Sequence, residues 1–434
     1  FFFLFVLRGN TQEVEILTLE DCLRIGIDNN LSLEGKRKEI QKSKYGVSEN
    51  RSKLLPQINA IAGYNNNFDP PVSVTDGSSY GVPYNITKTL QHSANAGLEM
   101  QMPLFNQTLY TSMSIAKVME EISRLSYGKA REDVILQISK MYYLGQVTAE
   151  QIMLIKANIT RLEELRDITQ AFFDNGMSME VDLKRVNINL ENLKVQYDNA
   201  QAMMKQQLNM LKYIMDYPAE KEIALTPVNT DSITTVALTG LSENIYELQL
   251  SQSQVQLAER QKKIITNGYI PSLSLTGSWR YAAYTDKGYH WFHSGPSNQW
   301  FRSYGVGLTL RIPIFDGLDK TYKIKKAMID IENKRLAWED ARKNLQTQYL
   351  NAVNDLMNNQ RNFKKQKDNY LLAEDVYAVT SDRYREGIAS MTEVLQDEMQ
   401  MSEAQNNYIS AHYNYRVTNL MLLKLTGQIE SLVK

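Results

Sequence analysis

The chain has 434 residues with 48 Lys and Arg against 49 Asp and Glu, so bulk charge gives no argument for a nucleic-acid partner. A single cysteine, Cys22, excludes an intrachain disulfide and argues against a zinc–thiolate site. Mean hydropathy is −0.40, and no apolar run reaches the ~18 residues of a membrane-crossing helix.

In chain order, residues 1–16 come first. Phe1 to Leu7 reads as the apolar part of a secretory signal whose basic start is missing, with a buried strand as the other reading, and a short tail follows. Asp21 precedes Cys22 where a lipoprotein cleavage site needs small residues, so lipidation is not expected. A helix is predicted from about Leu19 to Leu54, with Thr18 as N-cap and Asp21 three residues later. It stops before Pro56, which cannot continue it.

Strands are predicted over about 56–68 and 92–105, because apolar residues alternate with small or polar ones. Ile58, Ala60, Ala62 and Tyr64 alternate with Asn59, Gly63 and Asn65, and Ala96, Leu98, Met100 and Met102 with Gly97, Glu99 and Gln101. Asp69 to Gln91 between them reads as a loop. Long helices then cover about 107–173 and 178–215. From Leu109 to Phe172 there is no Pro, which gives ~95 Å of helix at 1.5 Å per residue. Leu183, Val186, Leu190, Leu193, Tyr197, Ala200, Met204 and Leu211 fall at coiled-coil spacing, interrupted by Gln207. Gly176 sits where paired helices would reverse.

Residues 217–240, with Pro218 and Pro227, read as a linker. After it come a helix from about Ser242 to Thr266, strands over about 270–284 and 302–315, and helices over about 320–384 and 390–425. The second strand is the plainest, with Tyr304, Val306, Leu308, Leu310, Ile312 and Ile314 on one face and Ser303 to Arg311 on the other. A loop rich in Gly and aromatics, Thr285 to Trp300, joins the two strands. Met401, Ala404, Tyr408, Ala411, Tyr415 and Leu422 repeat the helical seam, Gly387 marks the second reversal, and 428–434 is a tail.

The chain is written twice. Pro56 matches Pro271 at an offset of 215, Gly97 matches Gly307 at 210, and Gly176 matches Gly387 at 211, each within a similar local context. Two tandem repeats, 17–216 and 241–427, follow from this. Strands of 11 to 13 residues span ~36–43 Å and suit a tilted crossing of a bilayer better than a soluble two-sheet domain, whose strands average about 5 to 6 residues. Open edges cannot stand in lipid and four strands close no barrel, so the chain is expected to oligomerise. Three copies give 12 strands. Asn59, Asn65, Glu99, Gln101, Arg280 and Arg311 would then face the lumen, and Tyr64, Trp279, Tyr281 and Tyr304 the interfaces.

The ordered motifs Leu17-Thr18-Leu19-Glu20-Asp21-Cys22-Leu23, Leu54-Leu55-Pro56-Gln57-Ile58, the two Gly-Leu…Pro-Leu/Ile-Phe segments and Arg383-Tyr384-Arg385-Glu386-Gly387 resemble the TolC-type outer-membrane efflux proteins. The resemblance covers about Leu17 to Gly427. It implies an α+β membrane protein in the outer membrane of a Gram-negative bacterium. Its homotrimer would have a 12-stranded barrel in outer-membrane lipid, continued by an α-helical coiled-coil tunnel into the periplasm. Such a channel is a passive exit duct for small molecules and not an enzyme. Its partners are a periplasmic adaptor and an inner-membrane pump of RND, ABC or MFS type. The tip turns meeting the adaptor map to Gly176, Ser178, Gly387 and Ser390.

Acids lining the periplasmic aperture map to Glu393 and, in the first repeat, Asp182. The family's second acidic position holds Gln396, with Asp397 one residue on, and its basic residue two places after the glycine is Ala389. A ring of three Glu393 carboxylates would favour cations and raise their pKa values. Arg383, Arg385, Glu386 and Asp174 remain for tip ion pairs.

No phosphate loop, nucleophile elbow or metalloprotease helix occurs in the sequence, and no cofactor is implied. His290 and His293 read as a loop motif rather than a metal site, and Met203, Met204, Met210 and Met215 as packing residues rather than soft-metal ligands. A type I protein secretion duct and a structural or adhesive surface coiled-coil protein are the other readings.

Overall fold

The computed structural model describes residues 14–227, 240–286 and 300–433. Its first elements are β1 (Glu15–Leu17), α1 (Leu19–Asn29), α2 (Leu31–Ser52), β2 (Gln57–Asn66), β3 (Val72–Asp76), β4 (Tyr84–Lys88) and β5 (His92–Phe105). Then follow α3 (Gln107–Asp174), α4 (Glu180–Met215), β6 (Ile223–Leu225), α5 (Tyr246–Asn267), β7 (Ser272–Thr285), β8 (Trp300–Arg311), α6 (Asp319–Arg385) and α7 (Met391–Leu425). Two compact units emerge, one from the described residues of Phe1–Ile40, Ser123–Gln252 and Ala337–Lys434, the other from Gln41–Ile122 and Ser253–Leu336.

The first unit is helical. Thr18 and Asp21 start α1 with a reciprocal capping box, Asp21 N–H donating to Thr18 Oγ1 at 3.1 Å and Thr18 N–H to Asp21 Oδ2 at 3.2 Å. Cys22 is fully buried on α1, and burial pushes its thiol up to about 12. The helix expected to run unbroken from Leu19 is two helices. Asn30 leaves helical geometry at ψ 118°, donates through Nδ2 to Ile214 O at 2.7 Å and accepts Leu33 N–H at 3.0 Å as the cap of α2.

The expected tail through residue 16 also holds a strand. β1 pairs in parallel with β6, and Tyr142 of α3 ties the pair down, its hydroxyl lying 2.5 Å from Thr226 Oγ1 and 3.3 Å from Leu17 O. Residues 429–433 form a 3-10 helix with Ile429 fully buried, so this stretch is docked rather than a loose tail. α5 starts at Tyr246, later than the expected Ser242, because Ser242 N–H bonds Leu425 O. Val186, Leu190, Leu193, Ala200 and Leu211 on α4 are buried, as are Met401, Ala404, Tyr408, Ala411, Tyr415 and Leu422 on α7. Gln207 is buried among them. Met215 packs in the core, whereas Met203 and Met210 stay exposed, contrary to packing within one chain.

The second unit carries an antiparallel four-stranded sheet in the order β2-β5-β7-β8. β8 ends at Arg311, short of the expected 315, because its partner β7 begins at Ser272 and Pro313 has no N–H for a ladder. Asp69 to Gln91, expected as loop, contains the hairpin β3–β4 with Val72 opposite Lys88. Phe1 to Leu7, residues 228–239 of the linker, and 287–299 with His290 and His293 lie outside the described residues.

Candidate functional site

Two places hold the residues picked out by the sequence, one in each unit. In the first unit the helix pairs α3–α4 and α6–α7 reverse at Gly176 and Gly387, with φ of +72° and +75°. Both ends are left-handed double-bonded caps. Gly176 N–H bonds Phe173 O at 2.9 Å and Met177 N–H bonds Phe172 O at 2.8 Å. Gly387 N–H bonds Tyr384 O at 2.9 Å and Ile388 N–H bonds Arg383 O at 2.8 Å. α4 and α7 close the same way, at Asp216 and Gly427, again 211 residues apart. The reversals leave Met177, Met179 and Ile388 exposed, and Ser178 half-buried.

Ser390 caps α7, and Glu393 is tied into that cap. Its carboxylate accepts Ser390 N–H at 2.8 Å, while Glu393 N–H donates to Ser390 Oγ at 3.3 Å. These bonds, helped by the charge of Arg383, hold the Glu393 carboxyl below its ordinary range. Within one chain the direction is thus opposite to the rise expected from a ring of like charges. Gln396 is exposed and Asp397 half-buried one residue further round the helix. Asp182, in the first turn of α4, pairs with Arg185 at 3.3 Å, and the same guanidinium reaches Thr392 Oγ1 on α7 at 3.3 Å. Arg185 therefore links the N-terminal ends of α4 and α7. Arg385 pairs with Glu164 at 3.4 Å and Asp382 at 3.5 Å, while Asp174 accepts from Gln170.

Sequence reasoning missed Glu398. It lies one turn behind Met401 on the α7 seam and is 4% exposed, its Oε1 is buried without a hydrogen-bond partner among the described residues, and burial pushes its carboxyl up to about 6. Tyr377 beside it is pushed up to about 12 by burial and then by that carboxylate. Extending the seam back three residues from Met401 would have found it. Further along α7 a polar ladder faces α3. Asn158 Nδ2 donates to Gln405 Oε1 at 2.7 Å, Tyr408 Oη to Glu150 at 2.9 Å, and buried His412 Nδ1 sits 3.4 Å from Glu150. These groups give the helical layer a polar interior that apolar spacing alone did not reveal.

In the second unit the strand register puts Glu99, Gln101, Arg280 and Arg311 on one face of the sheet. Glu99 stands opposite Ser278, Gln101 opposite Thr276, and Arg311 opposite Ser272. Arg280 and Glu99 form an ion pair at 2.5 Å on that face. Gly97 is required there, since a Cβ would run into the β7 backbone at Trp279 and Arg280. The other face is apolar, with the row Ala60, Leu98, Trp279 and Tyr304, and beside it Leu275 and Leu308. Tyr304, Val306, Leu308 and Leu310 are all exposed on it, at 60 to 80%. Arg302 is the one charge among them, lying 5.9 Å over the Tyr304 ring. Among the described residues β2 and β8 each pair on one side only, so the sheet is open at both edges.

Among the described residues no helix is long and apolar enough to cross a membrane, and no group of three His, Cys, Asp or Glu could hold a metal ion. The family model for outer membrane efflux proteins matches residues 25–215 and 237–428. The outer membrane protein TolC of Vibrio cholerae is 21% identical over 399 residues, which are 88% of this chain and 84% of that protein. TolC of Escherichia coli is 19% identical over 88% of this chain and 76% of that protein. The toluene efflux pump outer membrane protein TtgC of Pseudomonas putida is 23% identical over 82% and 75%. Among solved structures, CusC superposes with a TM-score of 0.78 at 15% identity, covering 94% of this chain and 91% of that one. The outer membrane protein VceC of Vibrio cholerae superposes at 0.74 and 14%, covering 94% and 96%.

Proposed function

The chain belongs to the outer membrane efflux protein family, and on that footing we propose that three copies close one outer-membrane channel, the passive exit duct of a tripartite pump. It works in the outer membrane as an efflux channel. The observation that carries the finer reading is the open sheet. It has one polar face with a Glu99–Arg280 pair, one exposed apolar face, and two unpaired edges. In lipid those edges need partners, and three such sheets joined edge to edge supply 12 strands with the polar face inward.

The four helices α3, α4, α6 and α7 of each chain would continue that lumen as the tunnel wall. The recurrence of both reversal caps at an offset of 211 supports two structural repeats. The exposed Met177, Met179 and Ile388 around Gly176 and Gly387 supply an apolar surface for a periplasmic adaptor, which in turn engages an inner-membrane pump. Glu393, Asp182 and Asp397, with Gln396, would line the aperture beside them. The relative TtgC, named for toluene efflux, favours small molecules as cargo over proteins. Energy then comes from the pump, and no chemical step is assigned to this chain.

Recordings from the purified protein in planar bilayers test the reading. A conducting, water-filled pore is expected. A preparation that inserts but never conducts would overturn it, and would favour a surface coiled-coil protein.

A further inference from the structure

All four joints between strand and helix lie at one end of the sheet. Gln57 is paired with Gln101, Phe105 with Leu273, and Ser272 with Arg311. The helical and connecting residues nearest these joints, 44–56, 106–116, 260–271 and 312–326, hold ten Lys and Arg but only three Asp and Glu. The whole chain, at 48 against 49, has no such excess. Each of the three acids is already neutralised on its own segment, Glu49 by Lys53 at 3.5 Å, Asp316 by Lys320 at 2.9 Å and Asp319 by Lys323 at 2.7 Å. Among the described residues seven cations remain without an ion pair, namely Lys44, Arg51, Arg260, Lys262, Lys263, Lys325 and Lys326, and all but half-buried Lys262 are exposed.

The opposite end of the sheet has the reverse bias. Its described residues 67–91 and 286 carry Asp69, Asp76 and Asp286 against Lys88 alone. Exposed aromatics lie on the same segments, Tyr269, Phe315 and Tyr322 nearer to the strand ends than the unpaired cations of α5 and α6, and Tyr45 next to Lys44 on α2. Lys320 Nζ lies 5.0 Å over the Tyr269 ring and Lys325 Nζ 5.6 Å over Tyr322. A groove of about 980 Å³ between α5 and α6 is lined by Lys262, Lys263 and Lys325 over Met328 and Ile329, and by Glu332 and the Glu259–Arg335 ion pair, so its cations still outnumber its acids. Moving off the sheet at the α5–β7 and β8–α6 joints, the order is thus apolar side chains, aromatic rings, then unpaired cations. A lipid leaflet presents the matching order of acyl chain, interface and phosphate.

We infer that these seven cations form a belt that binds the headgroup phosphates of anionic phospholipids in the periplasmic leaflet of the outer membrane. The inference rests on the barrel reading above, in which the helices leave the sheet on its periplasmic side. Lys262 and Lys263 on α5 and Lys325 on α6 supply the phosphate contacts from two sides of one groove, with Lys326 exposed next to Lys325 and with Met328 and Ile329 as the surface for the start of a chain. Lys44 and Arg51 add two exposed cations on α2, which leads into β2.

Native mass spectrometry of the detergent-extracted full chain, titrated with phosphatidylglycerol and in parallel with phosphatidylcholine, is the test. The wild type is expected to retain phosphatidylglycerol preferentially, and the preference should weaken in high salt. The quadruple variant K262Q/K263Q/K325Q/K326Q should lose it, at about fivefold per charge removed. The double variant K44Q/R51Q should lose part of it, and keeps the test decisive if the quadruple variant does not fold. Equal retention of both lipids by the wild type overturns the inference, as does a folded variant that keeps the preference. So does a changed oligomeric mass with lipid retention intact, since a second copy would then cover the cations. If no oligomer forms and no pore conducts, the barrel reading fails first, and a conducting oligomer without lipid preference sinks only the belt.

Discussion

Glu398 and Glu393 lie five residues apart on α7 and are driven in opposite directions. Glu398 is buried and titrates at about 6 when folded, against 4.5 for a free side chain, so the native state keeps a proton that the unfolded chain has released. Stability therefore falls as pH rises from about 4.5 to 6, and above that window it stays lower by about 2 kcal/mol. Glu398→Gln should raise the melting temperature near pH 7.5 and leave it unchanged near pH 4, in paired thermal melts. An equal shift at both pH values would contradict the burial account. Glu393 has the reverse linkage. Its pKa is lowered by the Ser390 cap, so its contribution is present above the ordinary carboxylate range and is lost as pH falls through the folded value. Glu393→Gln keeps a capping side chain while removing the charge. If Glu393 lines the aperture, this variant lowers the cation preference of the pore in bilayer recordings, and an unchanged preference would remove it from the aperture.

At the scale of elements, the reversals depend on backbone geometry rather than contact. An added Cβ at Gly387 meets nothing within 4 Å, so Gly387→Ala carries only the cost of a left-handed residue, about 1–2 kcal/mol, readable in denaturant unfolding. No loss of stability would mean that the turn relaxes out of the left-handed region. Ser390→Ala should cost about 1 kcal/mol in the same assay through the lost cap, and a neutral result would mean that the cap is not formed in solution.

These helix ends were legible because Gly, Ser and a period near 3.5 are local signals, and the long strands because a period of two survives over a dozen residues. What stayed hidden is held by partners far away in sequence. Asn30 breaks the first helix through Ile214, 184 residues on, with no Pro or Gly to mark the spot. β1 and β6 have three residues each, too short for any period, and depend on Tyr142 of α3. Arg185 gave no sign that it reaches Thr392, since the spacing shows only its neighbour Asp182.

For the whole molecule, the amphipathic sheet is the strongest constraint. The sequence placed Glu99, Gln101, Arg280 and Arg311 on a common side, and the register brings two of them into an ion pair across β5 and β7. Among the described residues β2 and β8 each have one open edge, and the case for three copies rests on those two edges meeting in lipid. The native mass of the detergent-extracted, folded protein tests this most directly. With a chain of 49.9 kDa, the account predicts a species of about 150 kDa after detergent is removed in the gas phase. A stable conducting species at the mass of one or two chains would contradict it.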